Sequence, residues 1–150
     1  FSGSSTSTLT GTSTELKVES GATYCNENAT IIFRNTAKYN ISSATGSAEF
    51  SDDCKIEGSS RGEFHSSGNT VFRNSSDITL TISLFSVVDG DCYFIDNSTG
   101  IVASESTFSV QNGNVVFGDN NELHVTSFSQ FQVISGSATQ YDQSLITIDS

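Results

Sequence analysis

The amino-acid sequence predicts an all-β fold: a single-stranded parallel β-helix, or β-solenoid, with three short strands in each turn. The first observation is a repeat rich in Gly, Phe and Asx, whose phenylalanines Phe33, Phe50, Phe72, Phe94 and Phe117 lie 17, 22, 22 and 23 residues apart. The second is an alternation of apolar and polar residues with a period of two, which is typical of strands. The third is the absence of proline, which suits a chain whose backbone groups are nearly all paired in ladders. A fixed period of this length with strand-like patterning indicates a solenoid.

Residues 106–127 show the plan of one turn most clearly. Three pairs of apolar residues, with one residue between the members of each pair, are separated by corners rich in Gly, Asn and Asp, which tolerate positive φ. The pairs are Phe108 and Val110, Val115 and Phe117, and Leu123 and Val125. One turn cannot bury its apolar face alone, so turns must stack about 4.8 Å apart. We expect the phenylalanines of aligned turns to form an aromatic ladder.

The whole chain, residues 1–150, is expected to form one solenoid domain, which is either a block of a longer solenoid or a polymerising unit. It would contain about six to seven turns of about 22 residues, a rod of roughly 30 Å at ~4.8 Å per turn. Base rates favour a right-handed coil. A β-sandwich also has short strands and turns, but it would not repeat one phrase at a fixed spacing.

The same pattern assigns particular segments to particular places in the turn. Leu16–Val18 and Tyr39–Ile41 are predicted to share the last strand position of the turn with 78–82 and 145–148. The Asx residues two positions after the phenylalanines are expected to line one corner. They are Asn35, Asp52, Asn74, Asp96 and Asp119.

Charge is distributed unevenly along the chain. The net charge is −11, and residues 1–75 contribute −2 while residues 76–150 contribute −9. Such a surface disfavours nucleic acid and anionic membranes, because both are bound through Lys and Arg. No run of about 18 apolar residues predicts insertion into a membrane. Two interpretations of the asymmetry stay open: a solvated surface without function, or a polarity that orients head-to-tail stacking.

Three cysteines are present: Cys25, Cys54 and Cys92. The odd number leaves at least one thiol unpaired within the chain. Cys92 lies two residues before Phe94, on the same predicted strand face, so we expect it to be a small buried core residue. Cys25 and Cys54 fall near corners of successive turns and are candidates for a disulfide, which would suit an oxidising compartment. No Cys and His spacing matches a zinc or redox motif, and we expect no cofactor.

Two phrases, Phe94-Ile-Asp-Asn97 and Phe117-Gly-Asp-Asn120, read as FxxN and follow a glycine four residues before each phenylalanine. In this they resemble the GGA/FxxN repeats of the chlamydial polymorphic outer-membrane proteins, although this chain contains no GGA. The resemblance covers most of residues 28–127. It implies a parallel β-helix in a cell-surface adhesin or structural stalk, and it implies no catalytic residues.

Acidic residues at the corners are the candidates for a metal site. Asp96 and Asp119 of neighbouring turns could share a cation such as calcium, which needs several converging oxygens. The alternative, which we favour, is a solvated corner without metal. Polysaccharide-active β-helices bring carboxylates together on a wide groove, whereas the acids here fall at corners, and we expect that this protein is not an enzyme.

A threonine pair raises ice binding as a weaker alternative. Thr79 and Thr81 are predicted to point outward from one strand. The row expected to continue this pair is chemically mixed, which makes a poor template for ice. It contains Lys17, Glu19, Asn40, Ser42, His124 and Thr126.

One outward column is predicted to be apolar. It lies just before the core phenylalanines and contains Ile32, Val71, Tyr93 and Val116, with Glu49 as an interruption. Outward β-branched residues can simply satisfy strand propensity. The alternative is a contact stripe for self-association, since continuous apolar stripes mark interaction surfaces.

Four N-x-S/T sequons, at Asn28, Asn40, Asn74 and Asn97, permit N-glycosylation if the protein is secreted by a eukaryote. Their number is about what chance expects in a chain so rich in Asn, Ser and Thr. The sequence therefore allows attached glycans without indicating them.

The expected function follows from the fold and from the ends of the chain. Neither end contains a polar or helical cap, so the end strands are ready to pair. We expect a structural extracellular protein, a building block of a surface filament, hair or stalk that assembles end to end, with itself as partner. The alternative is a binding module, a segment of a cell-surface adhesin.

Overall fold

The computed structural model describes residues 1, 3, 5–10, 15–18, 22–41 and 47–149. Within these residues the chain forms 19 strands and no helix. The strands make three parallel sheets, which stack as a β-solenoid of about six turns with about 23 residues in each turn. The predicted fold class is confirmed. The right-handed coil stays a prediction.

Each sheet takes one strand from every turn. The first sheet contains, in spatial order, β1 (Thr6–Thr10), β4 (Thr30–Arg34), β7 (Lys55–Ser59), β10 (Asp77–Thr81), β13 (Thr99–Ala103), β16 (Glu122–Val125) and β19 (Leu145–Ile148). The second contains β2 (Glu15–Val18), β5 (Lys38–Ile41), β8 (Glu63–Ser66), β11 (Leu84–Val88), β14 (Thr107–Gln111) and β17 (Gln130–Ile134). The third contains β3 (Ala22–Cys25), β6 (Ser47–Phe50), β9 (Thr70–Phe72), β12 (Cys92–Phe94), β15 (Val115–Phe117) and β18 (Ala138–Gln140).

Corner residues adopt the left-handed backbone conformation. Asp52, Asp96 and Asn112 have φ values of 54°, 55° and 55°. Asn and Asp tolerate this region because their short polar side chains can bond to nearby backbone. The Asx-rich corners of the sequence therefore have a steric cause.

Two aromatic ladders fill the core, which confirms and extends the predicted single ladder. The ladder of the second sheet contains Tyr39, Phe64, Phe85 and Phe108, and that of the third contains Phe50, Phe72, Phe94 and Phe117. Successive rings in both ladders are stacked, with centroids between 4.3 Å (Phe64 to Phe85) and 5.1 Å (Phe50 to Phe72) apart. The two ladders also touch, as at Phe72 and Phe85, whose centroids are 5.7 Å apart. Offset stacking of this kind adds to the free energy of simple burial.

Phe33 does not belong to the column of Phe50, as the sequence had suggested. It lies in β4 of the first sheet, where it pairs with Leu9 and Gly58. The column of Phe50 continues instead to Cys25. The step of 17 residues from Phe33 to Phe50 joins two different sheets and is not a turn. The alternation around Phe33 suits either sheet, because the inward positions of both are apolar.

Two other placements are corrected for the same reason. β2 and β5, which contain Leu16–Val18 and Tyr39–Ile41, belong to the second sheet and not to the sheet of 78–82 and 145–148. Asn35 follows Phe33 to the corner between the first and second sheets. The other predicted Asx residues do share one corner, between the third and first sheets, where the Asp53 amide donates to the Asn74 carbonyl and the Ser75 amide to the Asp96 carbonyl.

A glycine completes the core beside Phe33. A Cβ at Gly58 would lie 2.6 Å from Cε2 of Phe33 and 2.7 Å from Oγ of Ser83. The Phe33 ring therefore occupies the space of the missing side chain. The first sheet consequently has no aromatic ladder of its own at this level.

Candidate functional site

The last turn of the coil presents an uncovered edge. β19, β17 and β18 lie at the same end of the first, second and third sheets. Within the described part of the chain, each of these strands has a ladder partner on one side only. Their outer sides therefore carry rows of backbone groups that can pair with another strand.

Apolar side chains of the core are exposed at this edge. Ile148 pairs with Val125, which is 1% exposed, yet Ile148 itself is 68% exposed. Phe131, Val133 and Ile146 are only partly buried against the core. The core is thus open along the axis, because no described turn lies beyond the last one.

The opposite end is formed by β1, β2 and β3. Here Phe1 adds a single residue of pairing beyond β3. Its amino group donates to the Tyr24 carbonyl at 2.8 Å, and the Asn26 amide donates to the Phe1 carbonyl at 3.1 Å. This is the bonding pattern of a parallel bridge, so Phe1 is aligned with Cys25.

Three of the four residues of the predicted contact stripe come together on the outer face of the third sheet. Val71, Tyr93 and Val116 are direct neighbours in β9, β12 and β15, and each is half-buried. The column continues to Glu49 on one side and to Thr139 on the other. The apolar stripe therefore spans three turns.

Polar groups fix the two margins of this stripe. The Tyr93 hydroxyl donates to Oδ2 of Asp91 at 3.0 Å, and desolvation together with this carboxylate raises the pKa of Tyr93. The backbone amide of Asn114 donates to Asp91 at 2.8 Å and is the main reason that the pKa of Asp91 is lowered. Tyr93 is thus held flat on the sheet by a charged acceptor. At the other margin Arg73 forms an ion pair with Glu49.

Ile32 is not part of the stripe. It lies on the outer face of the first sheet, paired with Thr8 and Glu57. The error follows from the misplacement of Phe33, since the stripe was defined as the position before each core phenylalanine. Ile32 is instead in one column with Thr79 and Ile101.

The threonine row proposed for ice binding is also rearranged. Thr79 and His124 do share the first sheet, but Ile101 lies between them. Lys17 and Asn40 belong to the second sheet. Glu19 and Ser42 lie outside the described residues. The row of Thr79 is therefore as mixed as the sequence indicated, with different members.

Cys25 and Cys54 form a disulfide in the structure, with their Cα atoms 5.8 Å apart. Both are fully buried. The bond links the end of β3 to the corner before β7, so it ties the first described turn to the next. Cys92 is a free, fully buried thiol, as predicted, and burial raises its pKa strongly. Such a thiol is a core residue and is poorly reactive.

The sequon asparagines occupy different environments. Asn28, Asn74 and Asn97 are exposed, and Asn74 and Asn97 lie at the corner between the third and first sheets. Asn40 is half-buried within β5 and donates to Oε1 of Glu15 at 3.3 Å, while Ser42 of its sequon lies outside the described residues. Asn74 donates to Oδ1 of Asp52 at 3.0 Å. Three of the four sequons are therefore accessible for modification.

The acidic corner shows hydrogen bonds between the turns. Oδ2 of Asp119 accepts from the Asp96 amide at 3.4 Å, and Asn120 donates to Oδ1 of Asn97 at 3.1 Å. Among the described residues no three His, Cys, Asp or Glu side chains are grouped as metal ligands. A cation between Asp96 and Asp119 would thus have few protein ligands.

The sequence reasoning missed an irregular corner between the first and second sheets. Three residues link β7 to β8 and β13 to β14, whereas only Ile82 and Ser83 link β10 to β11. The flanking register is unbroken, since Thr81 pairs with Ser59 and Leu84 pairs with Glu63. One corner residue is therefore missing at this turn. The signal was in the sequence: Leu80 precedes Phe85 by five residues, but Val102 precedes Phe108 by six.

No family model matches this chain, and no curated protein or solved structure matches it either. The resemblance to the chlamydial outer-membrane repeats accordingly stays a prediction. Among the described residues there is no helix that is long and apolar enough to cross a membrane.

Proposed function

We propose that this chain is a structural extracellular protein, a β-solenoid building block of a surface filament, hair or stalk that assembles end to end. The observation that carries the proposal is the open edge of the last turn, where Ile148 is 68% exposed at a core position. A further turn at about 4.8 Å would pair the free backbone groups and cover these side chains.

The proposed occupant of this edge is the first turn of a second copy. Because β1, β2 and β3 lie at the opposite end of the same three sheets, a second copy placed one step beyond the last turn sets β1 on β19, β2 on β17 and β3 on β18. All three contacts are parallel, like those within the chain. The pattern is head-to-tail and open-ended, which generates filaments.

Charge supports this orientation over a tail-to-tail contact. Residues 76–150 carry a net charge of −9 and residues 1–75 a net charge of −2. Two acidic halves would repel each other more strongly than an acidic half and a nearly neutral one. The buried Cys25–Cys54 disulfide supports an oxidising, extracellular location.

Electron microscopy and sedimentation of the oxidised chain test the proposal. We expect filaments with an axial repeat of about 30 Å, six turns at ~4.8 Å. Ile148→Asp should disperse them, because it places a charge on the edge without disturbing a buried group. Ile101→Asp is the matched control, since Ile101 is 45% exposed on the face of the same sheet and away from the edge. Short dispersed rods at high concentration, or filaments of Ile148→Asp, would contradict the proposal.

A second candidate is a cell-surface adhesin segment, and the stripe of Val71, Tyr93 and Val116 favours it. An apolar stripe on a sheet face can bind another surface laterally. In the filament proposal the same stripe joins neighbouring filaments, and Tyr93→Lys should weaken self-association while the fold is kept. If the protein is monomeric and Tyr93→Lys abolishes binding to a surface ligand, the adhesin is the better description.

A further inference from the structure

The short corner at Ile82 and Ser83 creates a notch in an otherwise regular ridge. A groove of about 370 Å³ lies there, with walls from the corners of three successive turns. Arg61 comes from the turn before, Ile82 from the short corner and Glu105 from the turn after. The volume is in the range of small-ligand sites. The notch is a departure from the repeat, and such departures concentrate at functional sites.

The backbone of the notch is strained. The regular corners on either side have two successive left-handed residues, Ser60 with Arg61 and Ser104 with Glu105, whereas the short corner has only Ile82, at φ 51°. A β-branched residue in this region is a real outlier, which costs on the order of 1–3 kcal/mol. The strain keeps the Ile82 side chain 46% exposed on the floor of the groove. Oγ of Ser83, which also lines the groove, is buried and has no hydrogen-bond partner among the described residues.

The walls of the notch carry opposite charges that are not neutralised. Arg61 and Glu105 are exposed, and within the described chain neither side chain has an ion pair or a hydrogen bond. Glu63, which also lines the groove, is engaged by Lys38 at 2.8 Å and by His65 at 3.2 Å. The free charges are therefore a cation on one side and an anion on the other, with Ile82 and Leu84 as the apolar surface between them.

The distance between the charges selects the size of the ligand. The corners of Arg61 and Glu105 are two turns apart, about 10 Å at ~4.8 Å per turn. A free amino acid carries both charges on one α-carbon and cannot reach both walls. An extended peptide rises about 3.4 Å per residue, so three residues span about 10 Å. We infer that the notch binds a short zwitterionic peptide of about three residues, with its carboxylate on Arg61, its ammonium on Glu105 and an apolar side chain on Ile82.

Methyl NMR with a defined tripeptide tests this inference. Ala-Leu-Ala with free ends should shift the methyl signals of Ile82 and Leu84 saturably at millimolar concentration. The same peptide with acetylated and amidated ends should bind at least fivefold more weakly. Arg61→Gln and Glu105→Gln should each weaken binding about two- to fivefold, the effect of one exposed ion pair. The Ile148→Asp background keeps the protein dispersed if it assembles, so the test does not depend on the proposed filament.

Two further variants separate the notch from general surface charge. Arg34→Gln removes an exposed cation that does not line the groove, and it should leave binding unchanged. A serine inserted between Thr81 and Ile82 restores the three-residue corner; it should abolish binding without lowering the melting temperature, since it relieves the strain. Equal shifts with free and blocked peptide, no shift at about 10 mM, or undiminished binding by the insertion variant would overturn the inference.

Discussion

The first described turns and the later ones fill the same core column by different means. The inward column of the third sheet reads Cys25, Phe50, Phe72, Phe94 and Phe117. From Phe50 onward stacked rings fill it, whereas at Cys25 a disulfide to Cys54 takes the place of a ring. A covalent bond and an aromatic ladder thus do equivalent work in one column.

The two means impose different demands on the turn. The later members of the column are 22, 22 and 23 residues apart, but Cys25 precedes Phe50 by 25. Rings stack only if successive turns bring them into the same register. A disulfide fixes its two residues regardless of the length of the turn around them. Regular turns therefore coincide with the ladder, and the longer turn coincides with the disulfide.

Removing a ring from the ladder should have the largest effect on stability. Phe94 is fully buried between Phe72 and Phe117, with ring centroids 4.7 and 4.9 Å away. We expect Phe94→Ala to lower the free energy of unfolding by about 3–5 kcal/mol, because it removes a large side chain and leaves a cavity. Urea unfolding followed by circular dichroism measures it. Phe128→Ala is the control, since Phe128 is 83% exposed; similar losses in both variants would refute the register of the ladder.

Reducing the disulfide should have the next largest effect. Cys25 and Cys54 are 29 residues apart, and closing such a loop stabilises by about 2–4 kcal/mol. We expect dithiothreitol to destabilise the protein by that amount and to leave a Cys25→Ser, Cys54→Ser double variant unaffected. Hydrogen exchange should show that protection is lost in β3 and β6 before β12 and β15. Uniform loss along the rod would mean that the two regions unfold as one unit.

How far the sequence predicts this molecule depends on the same difference between regions. From residue 68 onward the glycine-to-phenylalanine spacing is regular, and both the strands and the ladder were predictable there. Earlier, Phe33 and Phe50 lie 17 residues apart, and the alternation of apolar residues does not say which sheet a strand belongs to. The stripe on Val71, Tyr93 and Val116 was predicted correctly for that reason, and Ile32 was not. The notch escaped because a missing corner residue leaves the apolar pattern of both neighbouring strands unchanged.

Phe33 and Gly58 offer a sharper test of how the earlier turns are packed. A Cβ at Gly58 would approach the Phe33 ring to 2.6 Å, so Gly58→Ala should destabilise by about 1–3 kcal/mol through overpacking. Phe33→Leu shortens the side chain that occupies this space. The double variant should therefore be more stable than the two single effects summed, with a coupling of about 0.5–3 kcal/mol. Thermal unfolding of all four proteins measures the coupling, and simple additivity would show that Phe33 does not fill the space over Gly58.

The smallest expected effect concerns charge, which also separates the two regions. The Lys and Arg ion pairs of the described residues, Lys38 with Glu63 and Arg73 with Glu49, lie in the first half, where all the basic residues are. The hydrogen bond from Lys38 lowers the pKa of Glu63 below its ordinary 4.5. A carboxylate with a lowered pKa stabilises the fold above pH 4.5, and this contribution is lost as pH falls through the pKa of the folded state.

Glu63→Gln should therefore cost less than about 1 kcal/mol at pH 7, as expected for a partly exposed pair. The difference from the unsubstituted chain should shrink below pH 4.5 and in 1 M salt, where the screening length is about 3 Å. Glu57→Gln is the matched control, because Glu57 is exposed and has no ion pair among the described residues. Urea midpoints measured from pH 3 to pH 8 give both curves. A difference that persists unchanged at pH 3 would mean that Glu63 stabilises the fold by packing and not by its charge.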